Sequence, residues 1–308
     1  MEMRSITPSE LSIKDLHQYI VGAIAPRPIA FASTIDENGN ANLAPYSFFN
    51  AFSSNPPILI FSSNRRVKDN TTKDTLHNVE RTKEVVINVV NYDIVRQMTI
   101  ASVNYASDVN EFEKAGLTAI PSETIKPFRV KEAPVQFECV VNEVISLGEH
   151  GGAGHLIICE VKKIHIRESV LDANNRIDPN KIDLVGRLGR AYYVRASGDA
   201  LFTLFQEPEQ MAIGFDKLPS SIRHSKVLSG NELASIASEL DFPQEEEIQK
   251  ILNEDEGLKQ ILNNQFESPD QLESALHLHA QKAITKEQNR YAFCILLIAD
   301  RKRNHVPA

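Results

Sequence analysis

The stretch from Arg27 to Thr75 constrains the fold more than any other part of the chain. Arg27-Pro28-Ile29-Ala30-Phe31-Ala32-Ser33-Thr34 alternates apolar residues with small or polar ones at period two, which predicts a half-buried strand. Asp36-Glu37-Asn38-Gly39-Asn40 follows, and Asn-Gly is a strong hairpin signal because both positions tolerate positive φ. The chain returns from Asn42 to Phe52. Pro45 removes a ladder N–H on the way and so marks an edge or irregularity where a ligand can approach. Pro57-Ile58-Leu59-Ile60-Phe61 is a third apolar run, and it opens into Ser62-Ser63-Asn64-Arg65-Arg66-Val67-Lys68. Thr71 to Thr82 then reads as a helix with Leu76 and Val79 on one face and Thr71 or Thr72 as its N-cap. Hydroxyls and cations delivered beside a helix N-terminus make a seat for phosphate.

Residues 9 to 20 suggest a short helix in which Asp15 and His17 are solvated. Glu84 to Val90 is a strand rich in β-branched residues, and Tyr92 to Val103 has apolar residues near helical spacing. Residues 104 to 133 are loop-rich, punctuated by Pro121 and Pro127, and would wrap a sheet edge or reach a second subunit. Val135 to Leu147 and His155 to Ile166 form a long hairpin around Gly148-Glu149-His150-Gly151-Gly152-Ala153-Gly154. This cluster lacks Gly-x-Gly-x-x-Gly and joins two strands instead of opening a helix, so it reads as a turn and not as a nucleotide loop. His150 and His155 flank it with no third ligand in view, and no metal is expected. Residues 182 to 197 gather Arg187, Arg190, Tyr192 and Tyr193. After Gly198 the pattern changes: Ser229-Gly230-Asn231-Glu232 and Ser268-Pro269-Asp270-Gln271 read as capping boxes. Ile248, Ile251, Leu252, Leu258, Ile261 and Leu262 recur at helical spacing between them. Tyr291 to Ala299 is apolar throughout, too short to span a membrane, and expected to be buried.

Charge narrows the partners. With 33 Lys and Arg against 41 Asp and Glu, the formal net charge is −8, so general affinity for nucleic acid or an anionic membrane is not expected. The cations that matter must be local. No apolar run reaches 18 residues and Met1-Glu2-Met3-Arg4-Ser5 lacks a signal-peptide core, so a cytoplasmic protein is expected. Cys139, Cys159 and Cys294 form no Cys-x-x-Cys and read as buried thiols.

Five segments in order carry a resemblance over residues 20 to about 197. They are Arg27-Pro28-Ile29-Ala30, Asn42-Leu43-Ala44-Pro45-Tyr46-Ser47-Phe48, Lys73-Asp74-Thr75, Phe112-Glu113-Lys114-Ala115-Gly116-Leu117-Thr118 and Gly186-Arg187-Leu188-Gly189. The chain resembles the flavin reductase-like family, FMN-binding split β-barrel proteins that include flavoredoxins. The resemblance implies a mainly β fold with added helices: an antiparallel split β-barrel of Greek-key type over 1–199, followed by a mostly helical region, 200–308. It implies bound FMN, with its phosphate held by Ser47, Ser62, Ser63, Asn64, Arg65, Lys68 and the helix start near Thr72. Ala44, Tyr46, Phe48 and Phe49 would line a slot for the ring, and Asn42, Pro45 and Thr75 complete the expected contacts. Phe52 is expected in the core. An arginine from the last core strand, Arg187 or Arg190, would approach the flavin, and Arg190 is taken as the contact.

By the same resemblance, NAD(P)H would deliver hydride to the flavin, with no protein acid or base required. The function implied is an FMN-dependent oxidoreductase that passes electrons to free flavin, a small acceptor or a partner protein. A homodimer with the flavin near the interface is also implied. The alternative is a non-enzymatic FMN-binding electron carrier or partner module. Pyridoxamine-phosphate-oxidase-like chemistry fits less well, given Asn42-Leu43-Ala44-Pro45 and the Phe112–Thr118 stretch.

Overall fold

A computed structural model describes residues 2–204 and 209–304. They fall into two compact units, Met1–Phe202 and Thr203–Ala308. The first unit opens with helix α1 (Ile13–Ala23) and four strands, β1 (Ala30–Ile35), β2 (Ala41–Tyr46), β3 (Phe49–Ser54) and β4 (Pro57–Ser62). Helix α2 (Asp74–Thr82), β5 (Glu84–Val89), short helices α3 (Val95–Ile100) and α4 (Glu111–Ala115), and the small pair β6 (Ala119–Ile120) and β7 (Arg129–Val130) follow. The long strands β8 (Val135–Ser146) and β9 (His155–Ile166) precede α5 (Pro179–Ile182) and the hairpin β10 (Leu184–Arg187) and β11 (Tyr193–Ala196).

Seven strands make one sheet in the order β2-β1-β5-β8-β9-β4-β3, and every pairing is antiparallel. The two edges, β2 and β3, are consecutive in the chain and separated only by Ser47 and Phe48. Laid flat, seven strands would hold their edges about 29 Å apart. Tyr46 and Phe49 are three residues apart, a reach of at most about 11 Å. The sheet must therefore curl until its edges meet at this corner.

The curl gives each strand two covered faces. Ala30 and Ala32 join an inner cluster with Phe61, Ile87, Cys139 and Ile157, closed at one end by Leu76 and Val79 of α2. Phe31 points the other way, into a cluster with Leu43, Met98, Phe112 and Val130. β1 was expected to be half-buried, yet all six of its residues are buried. Its alternation assigns the faces correctly, but α3, α4 and the segment around β7 cover the face that would otherwise meet water. Residues 104 to 133 thus pack on the barrel through Phe112, Leu117 and Val130. Phe52, expected in the core, is 63% exposed, because β3 is an edge strand whose residues from Asn50 onward are exposed.

Two buried carboxylates fasten loops to the sheet. Glu111 accepts from the Leu43 N–H at 3.0 Å. Glu138, on β8, accepts from the N–H groups of Glu123 (2.8 Å) and Thr124 (2.7 Å), the Thr124 hydroxyl (2.5 Å) and His165 Nε2 (2.8 Å).

The second unit contains α6 (Ser220–Arg223), α7 (Gly230–Ala237), α8 (Glu245–Glu254), α9 (Glu256–Asn263), α10 (Pro269–Ile284) and α11 (Asn289–Asn304). They enclose a core with Ile222, Ile236, Ile248, Leu258, Leu276 and Phe293. The apolar run Tyr291 to Ala299 lies on α11 and supplies Ala292 to Leu296 to that core. Ser229 and Glu232 form a reciprocal capping box. The second expected box is only half formed: Ser268 accepts from Gln271 N, but the Gln271 side chain accepts from Glu267 N instead. Gln244 and Glu247 make a box that the sequence reading missed, because glutamine is an uncommon N-cap. Among the described residues no helix is long and apolar enough to cross a membrane.

Candidate functional site

Where the sheet edges meet, the backbone of Ser47 and Phe48 crosses from β2 to β3 and floors a cleft of about 490 Å³. Pro45 sits in edge strand β2, paired with Phe31, so its missing N–H costs no ladder bond on the open side. Tyr46 stacks at 5.1 Å from Phe61 and is almost wholly buried. Its hydroxyl, like that of neighbouring Ser63, is buried without a hydrogen-bond partner among the described residues. Burial pushes the Tyr46 phenol up to about 12.

One wall is the end of β4. Ser62 N–H donates to Phe48 O (2.8 Å), which locks this strand end to the crossing. The Ser62 hydroxyl donates to Asn64 Oδ1 at 2.9 Å. The glycine turn between β8 and β9 backs this wall, through Arg65 N–H to Ala153 O (2.9 Å) and Gly152 N–H to Arg65 O (3.0 Å). A Cβ at Gly154 would sit 2.6 Å from the Ser62 hydroxyl oxygen, so a larger residue there would turn the Ser62 side chain away from Asn64.

The opposite wall is α1, which presents Lys14, His17, Gln18 and Val21 to the cleft. Positions i, i+3, i+4 and i+7 share one helix face. Arg27 anchors this wall. Its guanidinium donates to Val21 O (2.6 Å), Ile24 O (2.7 Å), Leu188 O (3.2 Å) and the Ser47 hydroxyl (3.4 Å). It therefore ties the end of α1, the turn after β10 and the edge crossing together. Arg187 donates to Tyr192 O and Arg190 O, and so shapes the turn that carries Arg190.

The electrostatics are one-sided. The cleft is lined by Lys14, Arg27, Lys73, Arg187 and Arg190, and among the described residues no carboxylate lines it, although acidic residues outnumber basic ones over the whole chain. Lys73 is the N-cap of α2, and its ammonium lies 4.9 Å from the centre of the Tyr46 ring. Burial, then the charge of Arg66, pull its pKa below the ordinary lysine value. Such a lysine gains from any anion that enters.

Of the residues expected at the site, Pro45, Tyr46, Ser47, Phe48, Ser62, Asn64 and Arg190 line this cleft. Asn42, Ala44 and Thr75 line a small recess that shares Lys73 with it. Both Asn42 amide bonds go to Thr34 and Thr75 hydroxyls, each at 2.9 Å, and fix β2 to α2. Ser63, Arg65, Lys68 and Thr72 line neither space. Ser63 exchanges backbone bonds with His155, Arg65 donates to Asn70 O (2.8 Å), and Lys68 is exposed on the loop. Thr72 is not the helix cap: α2 starts at Asp74, and the Thr72 hydroxyl meets His77 Nε2 at 2.8 Å.

Sequence reasoning missed Lys14, His17, Gln18, Arg27 and Lys73 as site residues. His17, expected to be merely solvated, is exposed but faces the cleft, its ring 6.1 Å from Phe48. The signal was present in the spacing 14, 17, 18, 21 and in the motif Lys73-Asp74-Thr75. What these side chains face is set by tertiary packing.

The donor set suits a flat ligand with an anionic end: aromatic and apolar groups at Pro45, Tyr46 and Phe48, polar groups at Ser47 and Asn64, and a cluster of cations. Comparison with known proteins agrees. Residues 22–181 match the family model described as flavin reductase like domain. An uncharacterized protein of Aquifex aeolicus is 41% identical over 184 residues, 60% of this chain and 91% of the relative. The crystal structure of nitrilotriacetate monooxygenase component B from Bacillus cereus superposes with a TM-score of 0.62 at 33% identity, covering 66% of this chain and 100% of that one. A protein from Shewanella frigidimarina, assigned as a flavin reductase with a split barrel domain, gives 0.55 at 25% identity, covering 65% of this chain and 96% of its own.

Proposed function

The chain belongs to the flavin reductase-like domain family, and from that premise we propose that it is an FMN-dependent oxidoreductase using NAD(P)H as electron donor. The observation that carries this reading is the cleft at the sheet corner, lined among the described residues by five cations and no carboxylate. FMN, when bound, supplies a two-electron acceptor for hydride.

Every other contribution belongs to the protein. Lys73 and Arg190, with Lys14 nearby, hold the phosphate; charge-assisted hydrogen bonds of this kind contribute roughly 1.5–3 kcal/mol each. The donors of Ser47 and Asn64 meet polar atoms of the cofactor. Phe48 and Pro45 flank its ring and exclude water from that side. Arg27 contributes indirectly, since its guanidinium is already engaged by backbone carbonyls. Hydride transfer needs no protein acid or base, and we assign none.

The partners follow from the same reading. Exposed apolar side chains lie on the elements around the cleft, Ile20 on α1, Phe52 on β3 and Tyr192 after β10. A second copy of the chain covering them makes a homodimer with the flavin near the interface. Three buried free cysteines and a nicotinamide donor fit a cytoplasmic location.

The test compares FMN with riboflavin, which lacks the phosphate. Flavin fluorescence should show FMN bound at least ~100-fold more tightly, the effect of two or more charge-assisted bonds. In the double variant Lys73→Met with Arg190→Met the ratio should fall toward one. Equal binding of both flavins by the unaltered protein would remove the phosphate assignment.

A further inference from the structure

Two features of the first unit are left over once the cleft is given to FMN: the glycine turn between β8 and β9, and the cationic loop after β4. They meet each other and the start of α1 at one point. A Cβ on Gly151 would lie 2.9 Å from the Val67 Cα, and one on Gly152 would meet Ile13 Cγ2 at 3.1 Å and Val67 Cγ2 at 3.7 Å. Gly152 also has a φ of +92°, where glycine is favoured. The turn is glycine-rich because α1 and the 65–68 loop close directly on it. Asn70 Nδ2 donates to Glu149 O (3.0 Å) and pins the loop to the turn.

This junction gathers positive charge. Lys14 follows Ile13 and lines the cleft, while Lys68 follows Val67 and is exposed. Arg65 joins the turn through its backbone, accepting from Gly152 N–H at 3.0 Å. Neither lysine ammonium donates a hydrogen bond or makes an ion pair among the described residues. Two carboxylates of the same segments are committed locally. Asp15 accepts from the Ser12 hydroxyl (2.6 Å), and Asp69 from the Thr71 N–H (3.0 Å) and hydroxyl (2.6 Å). Glu149 alone is left to oppose three cations.

The cofactor does not account for this charge. A phosphate monoester carries about two negative charges, and Lys73 and Arg190 already match them. The other reactant that must reach the flavin is the nicotinamide donor, and α1 provides its track. His17, one turn after Lys14 on the same face, has its ring 6.1 Å from Phe48 at the sheet corner. From Val21 out to Lys14 the helix rises about 10 Å. A dinucleotide with its nicotinamide at the corner carries its adenosine ribose toward Lys14. NADH and NADPH differ only at that ribose. A 2′-hydroxyl is recognised by a carboxylate that accepts its proton in a hydrogen bond, a 2′-phosphate by cations. Among the described residues no carboxylate lines the cleft.

Resting on the oxidoreductase reading above, we propose that the electron donor is NADPH, with its 2′-phosphate held between Lys14 and Lys68 at the Gly151-Gly152 turn. The glycines bring the two lysines together, and Arg65 adds its charge from behind.

The experiment is anaerobic stopped-flow bleaching of the FMN-loaded full chain over a range of NADPH and NADH concentrations. NADPH should be more efficient by at least about tenfold, the effect of one charge-assisted hydrogen bond, through a lower half-saturating concentration. That concentration should rise with salt more steeply for NADPH than for NADH. Lys68→Met, on the exposed loop, should bring the ratio of the two donors toward one by raising the half-saturating NADPH concentration, and Lys68→Arg should keep the preference. Equal efficiency, a preference for NADH, or a preference untouched in Lys68→Met overturns the proposal and leaves the oxidoreductase reading standing. Bleaching by neither donor removes both.

Discussion

Lys73 shows how much one side chain depends on its surroundings. It caps α2, lies against the Tyr46 ring and has its pKa lowered first by burial and then by Arg66. A bound phosphate stabilises the ammonium, so the pKa rises when FMN enters. FMN affinity is then full below the free-protein pKa and falls as pH rises through it, at lower pH than for an ordinary lysine. Dissociation constants measured across the alkaline range should weaken for the unaltered protein and stay flat for Lys73→Arg; parallel curves would exclude Lys73 from phosphate binding. Tyr46 gives the complementary case. Its hydroxyl is buried beside those of Thr75 and Ser63 and makes no hydrogen bond of full geometry among the described residues, so Tyr46→Phe should leave urea stability within about 0.5 kcal/mol and FMN affinity nearly unchanged. A stability loss of 2 kcal/mol or more would mean that the hydroxyl is already bonded in the flavin-free protein. The motif holding Lys73 was legible in the sequence, but its role was not. Nothing in Lys-Asp-Thr tells that the lysine is drawn under an aromatic ring from another strand.

Elements were legible in proportion to how local their causes are. The β1–β2 turn follows from Asn38-Gly39, and the β8–β9 hairpin from two β-branched runs around glycines, so both were read correctly. The start of α2 and the burial of both faces of β1 were not, because each is decided by what packs from elsewhere in the chain. Arg27 is the strongest example of such long-range tethering, joining α1, the edge crossing and the turn after β10. Arg27→Met removes those bonds and leaves carbonyls unpaired, a cost of about 2–4 kcal/mol. Denaturant unfolding should show that loss together with weakened FMN, whereas unchanged stability would mean that α1 is held by other contacts. Glu138 tethers the 121–127 loop in the same way. Burial opposes its ionisation, but the bonds from Thr124, Glu123 N–H and His165 outweigh burial and bring its pKa from 4.5 to about 2. A depressed carboxylate pKa stabilises the fold fully above the unfolded value, and that stability is lost as pH falls from about 4.5 toward 2. The contribution is roughly 3 kcal/mol by linkage. Unfolding of Glu138→Gln should therefore differ from the unaltered protein at pH 7, with the difference shrinking below pH 4.5 and vanishing only below about pH 2; a difference independent of pH would refute the assignment.

At the scale of the molecule, the first unit is organised by one topological fact: strands next to each other in sequence occupy opposite edges of the sheet. The corner this creates is also where the cations gather, which is why a motif-rich stretch near the N-terminus announced the fold so clearly. The second unit announced only its helices, since capping signals and helical spacing mark where helices begin and which face they bury, not how they pack on one another. Each unit has its own core, so residues 1–202 expressed alone should retain FMN affinity within about threefold, the scatter expected when no binding contact is removed. Loss of FMN binding would show that the helical unit completes the site. The account as a whole turns on whether the cleft supports electron transfer from a nicotinamide. The direct measurement is the visible absorption spectrum of the FMN-loaded protein under anaerobic conditions, followed on addition of NADH and then NADPH. The account predicts a flavin spectrum that bleaches with at least one donor at a rate far above that of free FMN. A bound flavin that stays oxidised with both would contradict the oxidoreductase and leave a carrier, and failure to bind FMN at all would contradict the site itself.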